Sequence, residues 1–477
     1  MPPIKRNPKA PRQIPPEVAP NVRVQGGAVE VAGGFTTEQA QVESLRCLNC
    51  KDAKCVEACP LHIDIKSFIQ HIVLGDVASA FDKISERSPF PGICGRVCQH
   101  ELFCESACLL GKKLDPVAIG SLERFCSDHH RQFNGKAPVV KANPTGPKIA
   151  MVGSGPASLM ASFVLAQRGY RVTVFEALHR LGGVLIYGVP PFRLPREILD
   201  SEIARLEAMG VKFETDVIVG NSVTLEELFH EEGFEAVFLG TGAGLPFMLN
   251  IPGENLIGVY TANEFLTRIN LMNANETGAD TPVNIGKHTV VIGGGNSAMD
   301  AARWSKRLGA DTTILFRRGR AELRARAEEI EHAEQEGIKF EFLGAPVALF
   351  GDENGWLNEM ECIRMKLGEP DSSGRPSPVP IEGSNYRIPV DTVIAAVGQA
   401  PNPTLQRTTP QLITNRGKIV VDVNRQTNMD KVFAGGDVVR GGSTVILAMS
   451  DGLAAADAID KALKLQQKEV EIVGAEA

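Results

Sequence analysis

The 477-residue chain is 43% hydrophobic and 22% charged, the balance of an ordinary soluble protein, and it is too long for one compact core. A net charge of −7 and an aromatic content of 6% argue against a nucleic-acid binder, which needs a basic field or stacking rings. No apolar run reaches the roughly 18 residues of a membrane span, and the opening MPPIKRNPKAPRQIPP lacks the apolar stretch of a secretory signal, so a cytoplasmic protein without a membrane partner is expected.

Residues 1–35 are rich in Pro, Gly and Val, carry no helical period and read as an arm lying on a surface or partly disordered. From 36 to 147 helical text alternates with two cysteine-dense runs, RCLNCKDAKCVEACP (46–60) and CGRVCQHELFCESAC (94–108), which hold eight of the ten cysteines. Between them IDIKSFIQHIVLGDVASAFDKI has apolar residues at helical spacing, broken near Gly75-Asp76. The stretch NGKAPVVKANPTGPK, 134–148, reads as a linker.

Clustered cysteines in a reducing compartment point to metal ligands rather than disulfides. The first run spaces Cys47, Cys50, Cys55 and Cys59-Pro60; the second spaces Cys94, Cys98, Cys104 and Cys108. Zinc would want two close pairs and stop at four ligands. Three close cysteines followed by Cys-Pro is an iron–sulfur pattern, in which the cysteine before Pro ligates a different cluster from its neighbours. By that logic Cys59 belongs to a second cluster, a later cysteine completes the first, and eight thiolates suffice for two [4Fe–4S] clusters. Zinc and plain buried thiols are the alternatives.

At Lys148 the text becomes strand, glycine turn, helix, strand (KIAMVGSGPASLMASFVLAQRGYRVTVFE), and the design returns at 288–318. In the first unit Gly153, Gly155 and Ser158 fill the G-x-G-x-x-G/A positions, and Glu176 ends the second strand. A carboxylate there accepts a ribose diol and repels a 2′-phosphate, so the unit suits FAD or NAD. The second unit has Gly293, Gly295 and Ala298, and its strand ends in Phe316-Arg317-Arg318. Guanidinium groups at that corner suit the 2′-phosphate of NADPH, and Arg324 could complete the clamp. A solvated charged face is the bland reading of GRAELRARAEE. Short apolar strands ending in glycine follow at AVFLGTGA (236–243), DTVIAAVGQAPN (391–402) and KVFAGGDVVRGG (431–442). In the last, Asp437 is placed to meet a flavin's ribityl or pyrophosphate end, or to cap the helix expected from about Val445.

One site for FAD and one for NADPH, beside iron–sulfur ligands, describes a flavin-dependent pyridine-nucleotide oxidoreductase. Flavin takes a two-electron hydride and releases single electrons, so it stands between nicotinamide and clusters. The clusters form a wire to an acceptor outside the chain. Hydride transfer demands no side-chain nucleophile, acid or base, and none is assigned.

From about 36 to 465 the chain resembles the small (β) subunit of NADPH-dependent glutamate synthase. It also resembles the N-terminal half of dihydropyrimidine dehydrogenase and the large subunit of NADH-dependent reduced ferredoxin:NADP oxidoreductase. The matching text is RCLNC, CVEACP, CGRVC, CESAC, PVAIGSLERF, VGSGPAS, YGVPPFRLP, VIGGGNSAMD, FRR, LRARAEE and VFAGGDVVRGG. The resemblance implies that Cys47, Cys50, Cys55 and Cys108 hold one [4Fe–4S] cluster. Cys59, Cys98 and Cys104 hold the other, with Glu123 as fourth ligand in place of Cys94. Cys126 and Cys362 have no motif and are expected to be buried thiols. For FAD the resemblance supports Gly153, Gly155, Pro156, Glu176, Gly183, Arg193 and Asp437, with Val97 between flavin and cluster and Thr444 near the ring. For NADPH it supports Gly295, Asn296, Ser297, Arg317, Arg318 and Arg324, beside the motif's Gly293.

The implied fold is α/β: a helical two-cluster iron–sulfur domain (36–147), then two Rossmann-like units, FAD (148–285 and 399–477) and an inserted NADPH unit (286–398). The implied activity passes electrons from NADPH through FAD and two clusters to a second redox subunit, an FMN-containing or ferredoxin-linked flavoprotein. Glutamate synthase is the first expectation. The electron-bifurcating oxidoreductase, the flavin subunit of a pyrimidine reductase and a non-catalytic electron-transfer scaffold are the alternatives. Arg317 and Arg318 speak against the scaffold. Pro2 follows Met1, so no N-terminal cysteine is offered for glutaminase chemistry.

Overall fold

Capping residues set the helices of the cysteine-rich region. Thr36 and Gln39 form a capping box ahead of α1 (Thr37–Leu45). Asp64 accepts from the Ser67 amide to start α2 (Ile65–Val73), and Asp76 accepts from the Ser79 amide to start α3 (Val77–Ser85). Gly75 turns the chain between them at φ 78°, a left-handed conformation that glycine adopts freely. On α2, Ile65, Phe68, Ile69 and Ile72 form the buried stripe that the apolar spacing predicts. α4 (Pro91–Val97) and α5 (Ile119–Phe133) pack backbone to backbone, since a Cβ on Gly95 would lie 2.7 Å from the Arg124 amide nitrogen.

The computed structural model describes residues 5–133, 145–276, 278–371 and 374–475, with side chains up to 464. Most of the linker expected at 134–148 lies outside these residues.

The first parallel sheet contains β1 (Lys148–Val152), β2 (Arg171–Phe175), β3 (Lys212–Glu214) and β4 (Ala236–Leu239), with a strand returning from the C-terminal region, Val432–Ala434. Its order runs from that returning strand through β4, β1 and β2 to β3. The second parallel sheet contains β5 (Val259–Thr261), β6 (His288–Ile292), β7 (Asp311–Phe316), β8 (Lys339–Phe342) and β9 (Thr392–Ala395), in the order β5-β9-β6-β7-β8. Val259–Thr261 pairs with β9, so this sheet reaches back of residue 286, where the insert is expected to begin. An antiparallel layer of Gly344–Gly351, Leu357–Pro370, Pro376–Pro380 and Tyr386–Pro389 is spliced between β8 and β9.

After β1, α6 (Pro156–Gln167) is buried along almost its whole length, covered by the last helix, α7 (Val445–Ala475). A Cβ on Gly452 would stand 2.0 Å from the Ala157 carbonyl oxygen, so the two helices touch at the backbone. The cysteine-rich helices share one core with this first unit, Phe68, Ile93 and Leu122 joining Leu159, Leu165 and Ile446. The second unit has its own core around Trp304, Phe265 and Val291. The N-terminal arm bridges both. Asn7 donates to the Leu45 carbonyl, Val31 donates to that of Phe192, and the Val31 side chain enters the second core.

Candidate redox site

All ten cysteines are free thiols. Cys47, Cys50, Cys55 and Cys108 line a single pocket, walled by Ile65, Ile69, Val117 and Ile119. Asn49, at φ 51°, turns the chain between the first two, and its amide donates to Cys47 Sγ at 3.4 Å. Burial pushes the Cys55 thiol up to about 12, with Cys47 and Cys108 adding to the effect. Four thiols converging in an apolar pocket form a donor set that suits a bound cationic centre.

The second set lies deeper. Cys59, Cys98, Cys104 and Glu123 are all buried, Glu123 at 4% exposure. Burial raises the Cys98 thiol first, then the charges of Glu123 and Cys59; burial likewise leads at Cys104, followed by Glu105, Cys98 and Cys59. Glu123 Oε1 is buried with no hydrogen-bond partner among the described residues. Its Oε2 is 3.6 Å from His100 Nε2, which is also without one. A lone buried carboxylate oxygen is costly unless something else holds it, and the Cys59, Cys94, Cys98 and Cys104 thiols all lie within reach of its charge. Cys94 differs. Its thiol donates to Met449 Sδ at 3.6 Å and accepts from Ser88 Oγ at 3.8 Å. Cys126 and Cys362 are buried, as expected of thiols without a motif, although Cys126 lies near enough to Glu123 for its charge to add to the effect of burial.

In the first unit Gly153 has φ 91°, and a Cβ there would meet the Gly240 carbonyl oxygen at 2.7 Å. Gly155 precedes α6, followed by Pro156 at the first helical position, and a Cβ on Gly155 would meet nothing within 4 Å. The backbone thus presents open space at the helix N-terminus, the shape a pyrophosphate needs. Gly183 closes over this turn, since a Cβ on it would be 2.9 Å from Gly155 Cα. Glu176 accepts from the Ser154 amide and hydroxyl and from the Leu178 amide, so it shapes the turn while retaining acceptor capacity. Asp437 accepts from Ser443 N and Oγ, and burial pushes its carboxyl up. It does not cap α7; Thr444 does, accepting from Leu447 N at 3.4 Å. Glu176 and Asp437 converge on Tyr187, whose phenol burial raises to about 12 with both charges contributing. Val97 packs in the core shared with Ile446 and Met449. Arg193 points elsewhere: its guanidinium holds Asp300 at 2.7 Å and Glu329 at 2.8 Å, a buried tie to the second unit.

The second unit repeats the cradle. Gly293 is at φ 149° against the Ala396 carbonyl, and a Cβ on Gly295 would again meet nothing within 4 Å. Asn296 and Ser297 open the following helix, Asn296–Arg307, and Asn296 Oδ1 accepts from the Arg326 amide at 2.9 Å. Arg317 and Arg324 are exposed at the end of β7. Arg318 is buried, donating to Asp371 at 2.7 Å and to the Pro376 carbonyl at 2.9 Å, so it anchors the hairpin. Three groups were not singled out from sequence. Arg375, from that hairpin, joins the arginine corner: burial first, then Arg324, Arg318 and Arg317, lower its basicity. His100 faces Glu123, and Arg326 reaches from the second unit to the cysteine domain. These meetings join residues far apart in the chain, and no local spacing signals them.

Two glycine cradles on parallel sheets, preceded by a cysteine-rich helical domain, agree with the comparisons to known proteins. Residues 24–135 match the model for dihydropyrimidine dehydrogenase domain II, 4Fe-4S cluster, and 147–452 match that for pyridine nucleotide-disulphide oxidoreductases. The solved structure of Mycobacterium tuberculosis FprA in complex with NADPH shares the fold, with a TM-score of 0.57 at 23% identity over 68% of this chain and 87% of that one. The class is therefore an NAD(P)H-dependent flavin oxidoreductase with a 4Fe–4S domain in front of it.

Among curated proteins, the Escherichia coli glutamate synthase [NADPH] small chain is 33% identical, covering 90% of this chain and 93% of that one. The Moorella thermoacetica NADP(+)-dependent formate dehydrogenase subunit beta is 39% identical over 86% of this chain. The Geobacter sulfurreducens NADPH-Fe(3+) oxidoreductase subunit beta is 35% identical over the same share. The chain spans 60% of the Moorella subunit's length and 64% of the Geobacter one's. The chain belongs to the glutamate synthase small-chain family. No helix among the described residues is long and apolar enough to cross a membrane.

Proposed function

We propose that this chain is the electron-input subunit of a multisubunit NADPH-dependent enzyme, in the first instance a glutamate synthase. With its cofactors bound, flavin supplies two-electron exchange with the nicotinamide and the clusters supply single-electron transfer onward. The first cradle, around Gly153, Gly155, Gly183, Glu176 and Asp437, holds FAD. The second, around Gly293, Gly295, Ser297, Arg317 and Arg324, holds NADPH. Cys59, Cys98, Cys104 and Glu123 hold the buried cluster, and Cys47, Cys50, Cys55 and Cys108 the outer one. We place the domains at 36–147, 148–285 with 399–477, and 286–398, except that Val259–Thr261 pairs into the sheet of the last.

The observation that carries the reading is the grading of burial between the two thiol sets. The buried set adjoins the end of α4, which touches α7 of the flavin unit through Cys94 and Met449. The other set is half-exposed. Such an order leads inward to a flavin and outward to a partner. The alignment with nearly the full E. coli small chain supports the glutamate synthase assignment.

The test is anaerobic purification of the native complex, followed by NADPH oxidation assays with 2-oxoglutarate plus glutamine and, separately, with ferredoxin. Glutamate formation with a large partner is the expected result. Ferredoxin-coupled turnover with a small flavin partner would replace it with the bifurcating oxidoreductase.

A further inference from the structure

Resting on the cluster reading above, we propose that Arg326 is a positioning and redox-tuning residue for the buried cluster. Its guanidinium clamps the Cys98 segment to the nucleotide unit and sets a positive charge beside that cluster.

Arg326 belongs to the second unit, at the start of helix Ala327–Gln335, yet its side chain crosses to the cysteine domain. It is 9% exposed. One amino group donates to the Arg96 carbonyl, two residues before Cys98. From one residue after Cys98, Gln99 Nε2 donates to the Arg324 carbonyl at 3.2 Å. The ligand segment 96–99 is therefore held from both sides by 324–326. That segment is itself pinned to the nucleotide turn, Arg324 N donating to the Gly294 carbonyl at 2.8 Å and Arg326 N to Asn296 Oδ1 at 2.9 Å.

The guanidinium has two nearby counter-charges of unequal strength. Glu328 is 2.8 Å away, and Glu101 is 3.9 Å from Nε, which has no hydrogen-bond partner among the described residues. The acids facing the same region are Glu123 and, beyond Arg326, Glu329. The guanidinium itself is seated on the Arg96 carbonyl, two residues from the Cys98 ligand, so its charge lies next to the ligand segment. A cluster gains negative charge on reduction, so a buried cation beside it stabilises the reduced form and raises its potential. Neutral hydrogen bonding alone would fix the segment but would not move the potential in this direction.

The experiment is an EPR-monitored redox titration of the anaerobically purified, cofactor-loaded chain and of Arg326→Gln, Arg326→Lys and Glu101→Gln. Arg326→Gln should move the midpoint of one cluster to a more negative value and leave the other in place. Arg326→Lys should keep most of the original value, and Glu101→Gln should move the same midpoint in the positive direction. The proposal is overturned if Arg326→Gln moves neither midpoint or both together, or if Arg326→Lys falls as far as Arg326→Gln. Should Arg326→Gln fail to fold, the neutral, similarly long Arg326→Met variant decides: a negative shift of one midpoint supports the proposal and an unmoved midpoint overturns it. An unaltered chain that binds fewer than two clusters would overturn the cluster reading itself, before any variant is compared.

Discussion

Glu123 and Cys94 compete for one place, and their surroundings separate them. The Cys94 thiol is already partnered by Met449 and Ser88, whereas Glu123 Oε1 is buried without a partner. Glu123→Ala should lower bound iron by about half, and Cys94→Ala should leave it unchanged; iron analysis with EPR would show the assignment wrong if the two results were reversed. At the arginine corner the paired residues also part company. Arg317 is exposed and free to meet a 2′-phosphate, so Arg317→Ala should weaken NADPH by about 10- to 100-fold while sparing NADH, the effect of losing a charge-assisted hydrogen bond. Arg318 is committed to Asp371 and the Pro376 carbonyl, and Arg318→Ala should instead cost about 2 kcal/mol of stability. Steady-state kinetics with both nucleotides and thermal unfolding distinguish these outcomes. The sequence marks both arginines equally, because adjacent positions past a strand end differ only in which side of the chain they face.

The contact between α6 and α7 braces the first glycine cradle. Gly452 brings α7 against Ala157 in the first turn of α6, just past Gly155. Gly452→Ala places a methyl 2.0 Å from that carbonyl oxygen, so the helices must separate. Overpacking of this kind costs about 1–3 kcal/mol. We expect a lower unfolding temperature together with loss of bound flavin, read from visible absorbance, while bound iron changes less. The helices themselves were readable beforehand: the break at Gly75-Asp76, the buried stripe of α2 and the start of α7 near Val445 all follow from local spacing and caps. The capping of α7 by Thr444 rather than Asp437 was not, because both stand ahead of it and only the loop geometry directs Asp437 toward Ser443.

Across the molecule, the arm joins parts that the two cores leave separate. Glu17 accepts from Arg23 at 2.6 Å and meets His332 of the second unit at 3.2 Å. Burial raises the Glu17 carboxyl, but His332 and Arg23 outweigh it and leave it below its ordinary 4.5. A depressed carboxyl stabilises the folded state above its unfolded value and loses that contribution as pH falls through the folded one. Arm attachment should therefore be complete near neutrality and weaken below pH 4.5, and Glu17→Gln should remove the pH dependence. Limited proteolysis of the arm across that range checks it; equal cleavage at every pH would refute it.

The two nucleotide-binding units, the helical cysteine domain and the class of chemistry were legible in the linear order, because strand–turn–helix motifs and ligand spacings are written in neighbouring residues. The place of Arg193 in a matching motif says nothing of Asp300 and Glu329, far along the chain, which hold its guanidinium. The buried isolation of Glu123, the Arg375 corner and the Arg326 clamp emerged only when distant segments were brought together. Burial and charge act through space, and a residue's partners across a folded interface leave no trace in the spacing of its neighbours.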